Sequence, residues 1–414
     1  MSRFCYRFGV NCVQTAGIII EYNPLHSGHV YMLEETRRRL GADTAIVGVM
    51  SGDFVQRGDF AIVRKQARAR AAVESGVDLV LELPLPWAVS SAEGFAEGGV
   101  QVLQATGLVT HLAFGSECGE AEPLRQLAET LLDKRLDDLI RQELAAGVSF
   151  AAARQRAVEQ LTSPETAALL EQANNALGIE YCKALLKRNS KIQPLTVRRS
   201  GSGHDAALQA GEHPSGSAVR QLLRSGNRQE ALSLMAPAMA RAYEAEETAG
   251  RAPVLMETCE RAILARLRSM GPEEFERLDE GREGLYNRLY DASRTAVSVE
   301  ELLAAAKTKR YAYARLRRMV LWAWLGISPE DVPAQVPYLR VLAANEKGRE
   351  LLARMKKTAT LPVLTKPNHI RRLDEDAQAL FALEARAADL YALAYPDLSA
   401  AVGGRAWREG PEIL

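Results

Sequence analysis

Apolar spacing along the first 230 residues alternates between short β-branched runs and longer stretches of helical period. Ile18-Ile19-Ile20, after Gly17, predicts a strand buried on both faces, as in a parallel sheet. Asn23-Pro24 ends it, because Pro24 lacks an N–H and biases Asn23 away from the α region. From Ser27 onward Val30, Leu33 and Leu40 predict an apolar helix face. Further strands are expected at 43–50, 77–83, 110–114 and 195–199, each followed by a loop and then a helical pattern. Ser90-Ser91-Ala92-Glu93 opens a helix to Leu103, and another runs from Asn174 through Leu186. This alternation implies right-handed βαβ units and a parallel sheet. Beyond about Asn227 the strand signal fades and helix formers dominate. The expected division is a short extension at 1–16, an α/β domain at 17–230 and a helical domain at 231–414.

Composition narrows the class. A chain of 414 residues allows two or three domains, and its zero formal net charge means that nucleic acid would be held by local patches. No apolar run approaches the ~20 residues needed to cross a bilayer. Residues 1–16 lack the apolar stretch of a secretory signal. Five scattered cysteines, with no C-x-x-C pair, argue for a reducing, cytoplasmic setting and against a structural zinc site.

The first strand–helix junction carries the densest chemistry. His26 and His29 flank Gly28 at a helix start, where free N–H groups and the dipole favour a phosphate. Gly28 would let a nucleotide approach the backbone, and two imidazoles three residues apart could contact phosphate oxygens as charge develops. Two ordinary histidines at a turn are the plain alternative. The loop Ser51-Gly52-Asp53-Phe54-Val55-Gln56-Arg57-Gly58-Asp59 follows the second strand, where ligand crevices form. Lys65 and Arg68, just beyond it, are expected phosphate contacts. Ser215, Ser217 and Arg220 at a later helix start either cap that helix or grip a polyphosphate.

In the helical half, Lys307, Lys309, Arg310, Arg315, Arg317 and Arg318 interleave with Tyr311 and Tyr313. Cations beside rings suit single-stranded or tRNA-like RNA, where phosphates meet charge and bases stack. A solvated helix face is the plainer reading. Lys347, Arg349, Lys356 and Lys357 form a second patch.

Several long segments occur in order: Gly17 to His29, Met50 to Gly58, Phe114-Gly-Ser-Glu117, Asn174 to Tyr181, Lys307 to Tyr311 and Pro337 to Leu342. Together they resemble the bacterial tRNA(Met) cytidine acetate ligase family, and His26-Ser-Gly-His29 resembles the H-x-G-H element of adenylylating nucleotidyltransferases. The resemblance covers nearly everything from Gly17 to about Lys366. It implies a Rossmann-like nucleotidyltransferase domain with a parallel sheet, followed by a mainly α-helical C-terminal domain. It also implies an enzyme that activates acetate with ATP, accompanied by Mg2+, and acetylates N4 of the wobble cytidine of elongator tRNA(Met). Carried over by position, the catalytic pair is His26 and His29. The ATP site is Ile19, Ile20, Glu21, Tyr22, Asn23, Pro24, Leu25, His26, Ser27, Gly28, His29, Val30, Tyr31 and Met32, with Gly115, Asn174, Arg199 and Ser200. Leu25, Ser27 and Ala173 depart from the usual residues, and Leu25 is expected to alter the acetate pocket.

Two other readings stay open on the residues. An adenylyltransferase for a coenzyme precursor shares H-x-G-H without needing a long basic helical half. A non-catalytic RNA-binding protein explains 307–318 without needing both histidines. The ligase reading also makes a geometric demand. Its crevice, bounded by His26, Gly52, Gly115 and Arg199, should open toward one positive face formed by 307–318 and 64–70.

Overall fold

The computed structural model describes residues 14–148, 150–199, 214–278, 284–309 and 311–414. Ten strands are present among them: β1 Thr15–Ile20, β2 Ala45–Ser51, β3 Phe54–Val55, β4 Asp59–Phe60, β5 Leu79–Leu83, β6 His111–Ser116, β7 Gln193–Arg198, β8 Leu339–Ala344, β9 Val363–Leu364 and β10 Glu412–Ile413. The expected N-terminal extension is shorter than 1–16, since Thr15 and Ala16 already pair with Ala45 and Ile46 of β2.

Eight strands form one sheet in the order β10-β8-β5-β2-β1-β6-β7, with β9 added beside β8. From β5 to β7 all pairings are parallel, and chain order reverses at β1. The β-branched and apolar runs that predicted β1, β2 and β5 are almost wholly buried, as a sheet covered on both faces requires. Two helices follow the first two strands: α1, Ser27–Leu40, and α2, Lys65–Glu74.

The strand signal does not end near Asn227. β8, every residue of which is buried, pairs antiparallel with β5 and inserts the late chain into the sheet. Arg340 in its middle breaks the apolar run and conceals the strand from a reading of hydrophobicity. Its guanidinium sits 3.4 Å from Glu82 and 3.9 Å from Glu384, and it stacks over Phe381. Lys65 completes the group with a 2.5 Å bond to Glu82, and the Tyr338 hydroxyl donates to Glu384 at 2.8 Å. A charged residue can occupy a central strand here because its partners are buried with it.

The helix Tyr313–Leu325, which carries the second half of the basic segment, lies against the β3–β4 hairpin. Trp324 stacks on Phe60 with centroids 5.3 Å apart, and Phe54 meets Phe60 edge-on at 5.0 Å. Arg318 donates to the Gln56 carbonyl. The second half of the basic segment is thereby held beside the carboxyl ends of the strands.

Candidate active site

β1 pairs with β6 only at Ala16 and Gly17; beyond these two residues the strands part. The gap lies where strand order reverses, the position at which open α/β sheets bind ligands. It opens into a cavity of about 480 Å³. Of the residues assigned to a nucleotide by resemblance, Ile19 to Pro24, His26, Gly28, His29, Tyr31, Met32, Gly115, Asn174 and Arg199 line it. Leu25, Ser27 and Val30 do not. Leu25 is fully buried in the core behind the cavity, its carbonyl accepting from Ala236 N–H, so its identity does not shape the pocket wall. Ser200 lies outside the described residues.

His26 is the N-cap of α1. Its Nδ1 accepts from Gly28 N–H at 3.2 Å, while its own N–H donates to Nδ1 of His29 at 3.2 Å. The two rings stack with centroids 3.8 Å apart, and Tyr22 packs on His29 at 4.9 Å. Tyr22 has φ +47, so the turn that presents this pair holds a non-glycine residue in the left-handed region. The expectation of free N–H groups at this helix start is corrected, because His26 itself takes those of Gly28 and, through its carbonyl, His29. The imidazoles stand in place of the backbone donors. Burial, then neighbouring His26 and Arg199, hold the pKa of His29 well below the usual histidine range. His29 is therefore neutral, and because Nδ1 accepts, its proton is on Nε2, which is left as a donor.

Among the described residues six arginines line the cavity, Arg57, Arg198, Arg199, Arg220, Arg224 and Arg317, against two carboxylates, Glu21 and Asp59. Ser215 caps the helix Gly216–Arg224 by accepting from Ala218 N–H. Arg220, one turn in, donates to the Asn23 carbonyl at 2.7 Å and to Ser217 at 3.2 Å, so capping and cavity-lining are combined in one helix start. Arg224 is the next residue on the same face and bonds Asp59 at 3.3 Å. Arg57 lies in the loop expected to line the crevice, whereas Arg198 and Arg224 were missed by the sequence, although spacing of four from Arg220 signals Arg224. Glu21 accepts from Gln56 N–H at 2.7 Å; burial raises its pKa, opposed by that bond and by Arg220, Arg57 and Arg68.

The segments around Phe114 and Asn174 lock together. Glu117 accepts from the Asn174 and Asn175 N–H groups and from the Asn174 side chain, a carboxylate at a helix N-terminus. In return, Glu117 N–H donates to the side-chain oxygen of Asn175. Gly115 leaves room for Arg199, whose Cγ a Cβ there would meet at 3.1 Å.

Three expectations are corrected. Lys65 and Arg68 are buried structural cations, not phosphate contacts: Lys65 is paired with Glu82, and Arg68 donates to the carbonyls of Glu21, Ser51, Gly52 and Val63. Gly52 does not bound the crevice; it faces Glu82 behind it. Residues 64–70 supply no continuous positive face, since Arg64 pairs with Glu246 and Glu409, and Arg70 with Glu74 and Glu412. Of the basic segment, Arg317 reaches the cavity. Lys307 lies over Tyr313 at 5.7 Å and Arg315 over Tyr311 at 5.3 Å, while Arg310 is outside the described residues. No group of three or more His, Cys, Asp or Glu among the described residues could hold a metal, and no helix among them is long and apolar enough to cross a membrane.

Residues 13–404 match the HIGH nucleotidyl transferase family. A tRNA(Met) cytidine acetate ligase of Acetivibrio thermocellus is 36% identical over 398 residues, covering 92% of this chain and 95% of that protein. The protein of the same name from Caldanaerobacter subterraneus is 36% identical over 395 residues, covering 94% and 97%. The crystal structure of apo Thermotoga maritima TmcAL superimposes with a TM-score of 0.92 at 32% identity, over 97% of this chain and 100% of that one. The same protein bound with alpha-thio ATP gives 0.89 over the same shares. Family, fold and crevice agree: the chain belongs to the tRNA(Met) cytidine acetate ligase family of HIGH nucleotidyl transferases.

Proposed function

We propose that the protein activates acetate with ATP and transfers the acetyl group to N4 of the wobble cytidine of elongator tRNA(Met). The observation that carries this reading is the pairing of two stacked imidazoles with an arginine-rich wall in a crevice at the strand ends. It stands in a chain whose relatives bear the ligase name and one of which is bound with alpha-thio ATP. An acetate oxygen attacks the α-phosphorus, the bond to the bridging oxygen breaks, and pyrophosphate leaves. The Nε2–H of neutral His29, with His26 beside it, donates to α-phosphate oxygens as charge builds in attack. The arginines offset charge on the leaving pyrophosphate. The cytidine N4 amine then attacks the acetyl carbonyl, AMP departs, and N4 loses a proton.

Among the described residues there is no dedicated magnesium cage. Glu21 is taken by Gln56 N–H and Asp59 by two arginines, so Mg2+ would arrive on phosphate oxygens and water. Location supports the RNA half of the reading. Helix 313–325 sits beside the crevice, giving a wobble base a short path to the adenylate, which must be kept from water. Lys307, Lys309, Arg315 and Arg318, with Tyr311 and Tyr313, would meet phosphates and bases.

Incubation with radiolabelled acetate, ATP and bulk tRNA tests the reading. Label should enter tRNA, and pyrophosphate exchange should require acetate. Exchange without acetate would favour a coenzyme adenylyltransferase, and neither signal would favour plain RNA binding. Replacing Lys307, Lys309 and Arg315 with alanine should leave exchange intact and flatten the salt dependence of tRNA binding. The log–log slope should change by about 0.7 to 0.9 per lost contact.

A further inference from the structure

Arg317 belongs by sequence to the basic segment, yet its position separates it from that segment. It projects from the second turn of the Tyr313–Leu325 helix into the cavity wall shared with His26, Arg220 and Arg224. Its Nη1 lies 3.6 Å from Asp59 Oδ2, the same oxygen that Arg224 approaches at 3.3 Å. One carboxylate therefore serves two guanidiniums. The Arg317–Asp59 distance is beyond a good hydrogen bond, and the buried Nε of Arg317 has no hydrogen-bond partner among the described residues. Nε of Arg220 is buried and unpartnered as well. Two arginines that line one cavity, each with a buried Nε left unpartnered, and more cationic than anionic side chains around that cavity among the described residues, suit an anionic ligand with several oxygens. Asp59 accepts from Phe60 N–H through Oδ1 and meets both guanidiniums through Oδ2 alone, at 3.3 Å and 3.6 Å.

We propose that Arg317 is a ligand of the nucleotide's β,γ-phosphates, supplied to the crevice by the late helical part of the chain and held beside Asp59 until the polyphosphate arrives. The proposal rests on the ATP-dependent reading above and deepens it. It gives the pyrophosphate leaving group a subsite made by both parts of the chain: Arg220 and Arg224 on one side, Arg317 on the other. Hairpin contacts fix the approach. Gly58, at φ +74, lies against the backbone of Arg317 and Arg318, where a Cβ would come within 2.5 Å of Arg318 N. The turn between β3 and β4 thus sets how far Arg317 enters. Arg317 then reports on nucleotide rather than on tRNA, in contrast to its neighbours on the same helix.

Calorimetric titration of ATP, pyrophosphate and AMP, without acetate, separates the possibilities. Arg317→Gln should weaken ATP and pyrophosphate ~10-fold or more, the scale of a lost charge-assisted bond, and leave AMP within about twofold. Arg317→Lys, which keeps the charge but not the fork, should fall between, and its thermal melt should match that of the wild type. Unchanged ATP affinity in folded Arg317→Gln, or an equal loss for AMP and ATP, overturns the assignment. Unchanged ATP affinity together with weaker tRNA binding overturns it in favour of an RNA contact. If the wild-type protein neither binds ATP nor exchanges pyrophosphate with acetate present, the functional reading itself fails; if it does both and only the variant result is negative, this inference alone fails.

Discussion

At the residue scale the reaction is expected to hinge on His29. Its ring is held neutral by burial, then by neighbouring His26 and Arg199, and Nδ1 is spent on His26 N–H, so Nε2–H is the group that can meet a phosphate. His29→Ala should lower acetate-dependent pyrophosphate exchange by ~10²-fold or more, the scale of losing one positioned donor. It also leaves His26 N–H without its partner, a capping loss of about 0.5–2 kcal/mol that urea unfolding would detect. The depressed pKa gives the pH dependence a definite sign. Below the usual histidine value of 6.5 the unfolded chain takes up a proton that folded His29 refuses. The stability of the native protein should therefore decline as pH falls through that value, by up to about 1.4 kcal/mol per unit from this group. The decline is measured as the difference between wild type and His29→Ala. Parallel pH profiles for the two proteins would show that His29 is not buried neutral.

At the element scale the β3–β4 hairpin is the joint of the site. It binds Glu21 through Gln56 N–H, Arg224 and Arg317 through Asp59, and the late helix through Gln56, Phe54 and Phe60. Gly58 is required at its turn for two reasons. Its φ of +74 strains any side chain, and a Cβ would strike the backbone of Arg317 and Arg318. Gly58→Ala should cost about 1–3 kcal/mol in thermal or urea unfolding. A variant as stable as the wild type would mean that the helix gives way without penalty, and that the hairpin does not fix its position.

At the scale of the whole molecule, the two parts of the chain are sealed by charge as well as by apolar packing. Lys65 and Glu82 come from the early chain, Arg340 and Glu384 from the late chain, and all four are buried. Burial, then Glu82, raises the pKa of Glu384 to about 7. Arg340→Met would leave two carboxylates facing one lysine without water, and should destabilise by roughly 3–5 kcal/mol. Because the folded pKa of Glu384 is raised, its share of stability is full below about 4.5 and is lost as pH rises through about 7. The deficit of the variant should therefore grow from pH 5 to pH 8, and adding Glu384→Gln should recover part of it. A deficit independent of pH would assign the loss to packing on Phe381 instead.

Local sequence determined the early strands, the helix starts and the histidine pair, because apolar period, proline and capping chemistry act within a few residues. Gly17 to His29 reads as strand, turn and helix start, and so it folds. Ser215 reads as a cap and caps. Charge was different, since a cation looks the same in sequence whether its partner is water, a carboxylate or a phosphate. Lys65 and Arg68 turned inward because α2 is covered on nearly all sides; Arg340 could enter a strand because Glu82 and Glu384 wait there from distant parts of the chain. Arg317 left its basic neighbours for the cavity because the hairpin draws its helix to the strand ends. Each of these was decided by pairings across tens to hundreds of residues, which only the tertiary structure brings within reach.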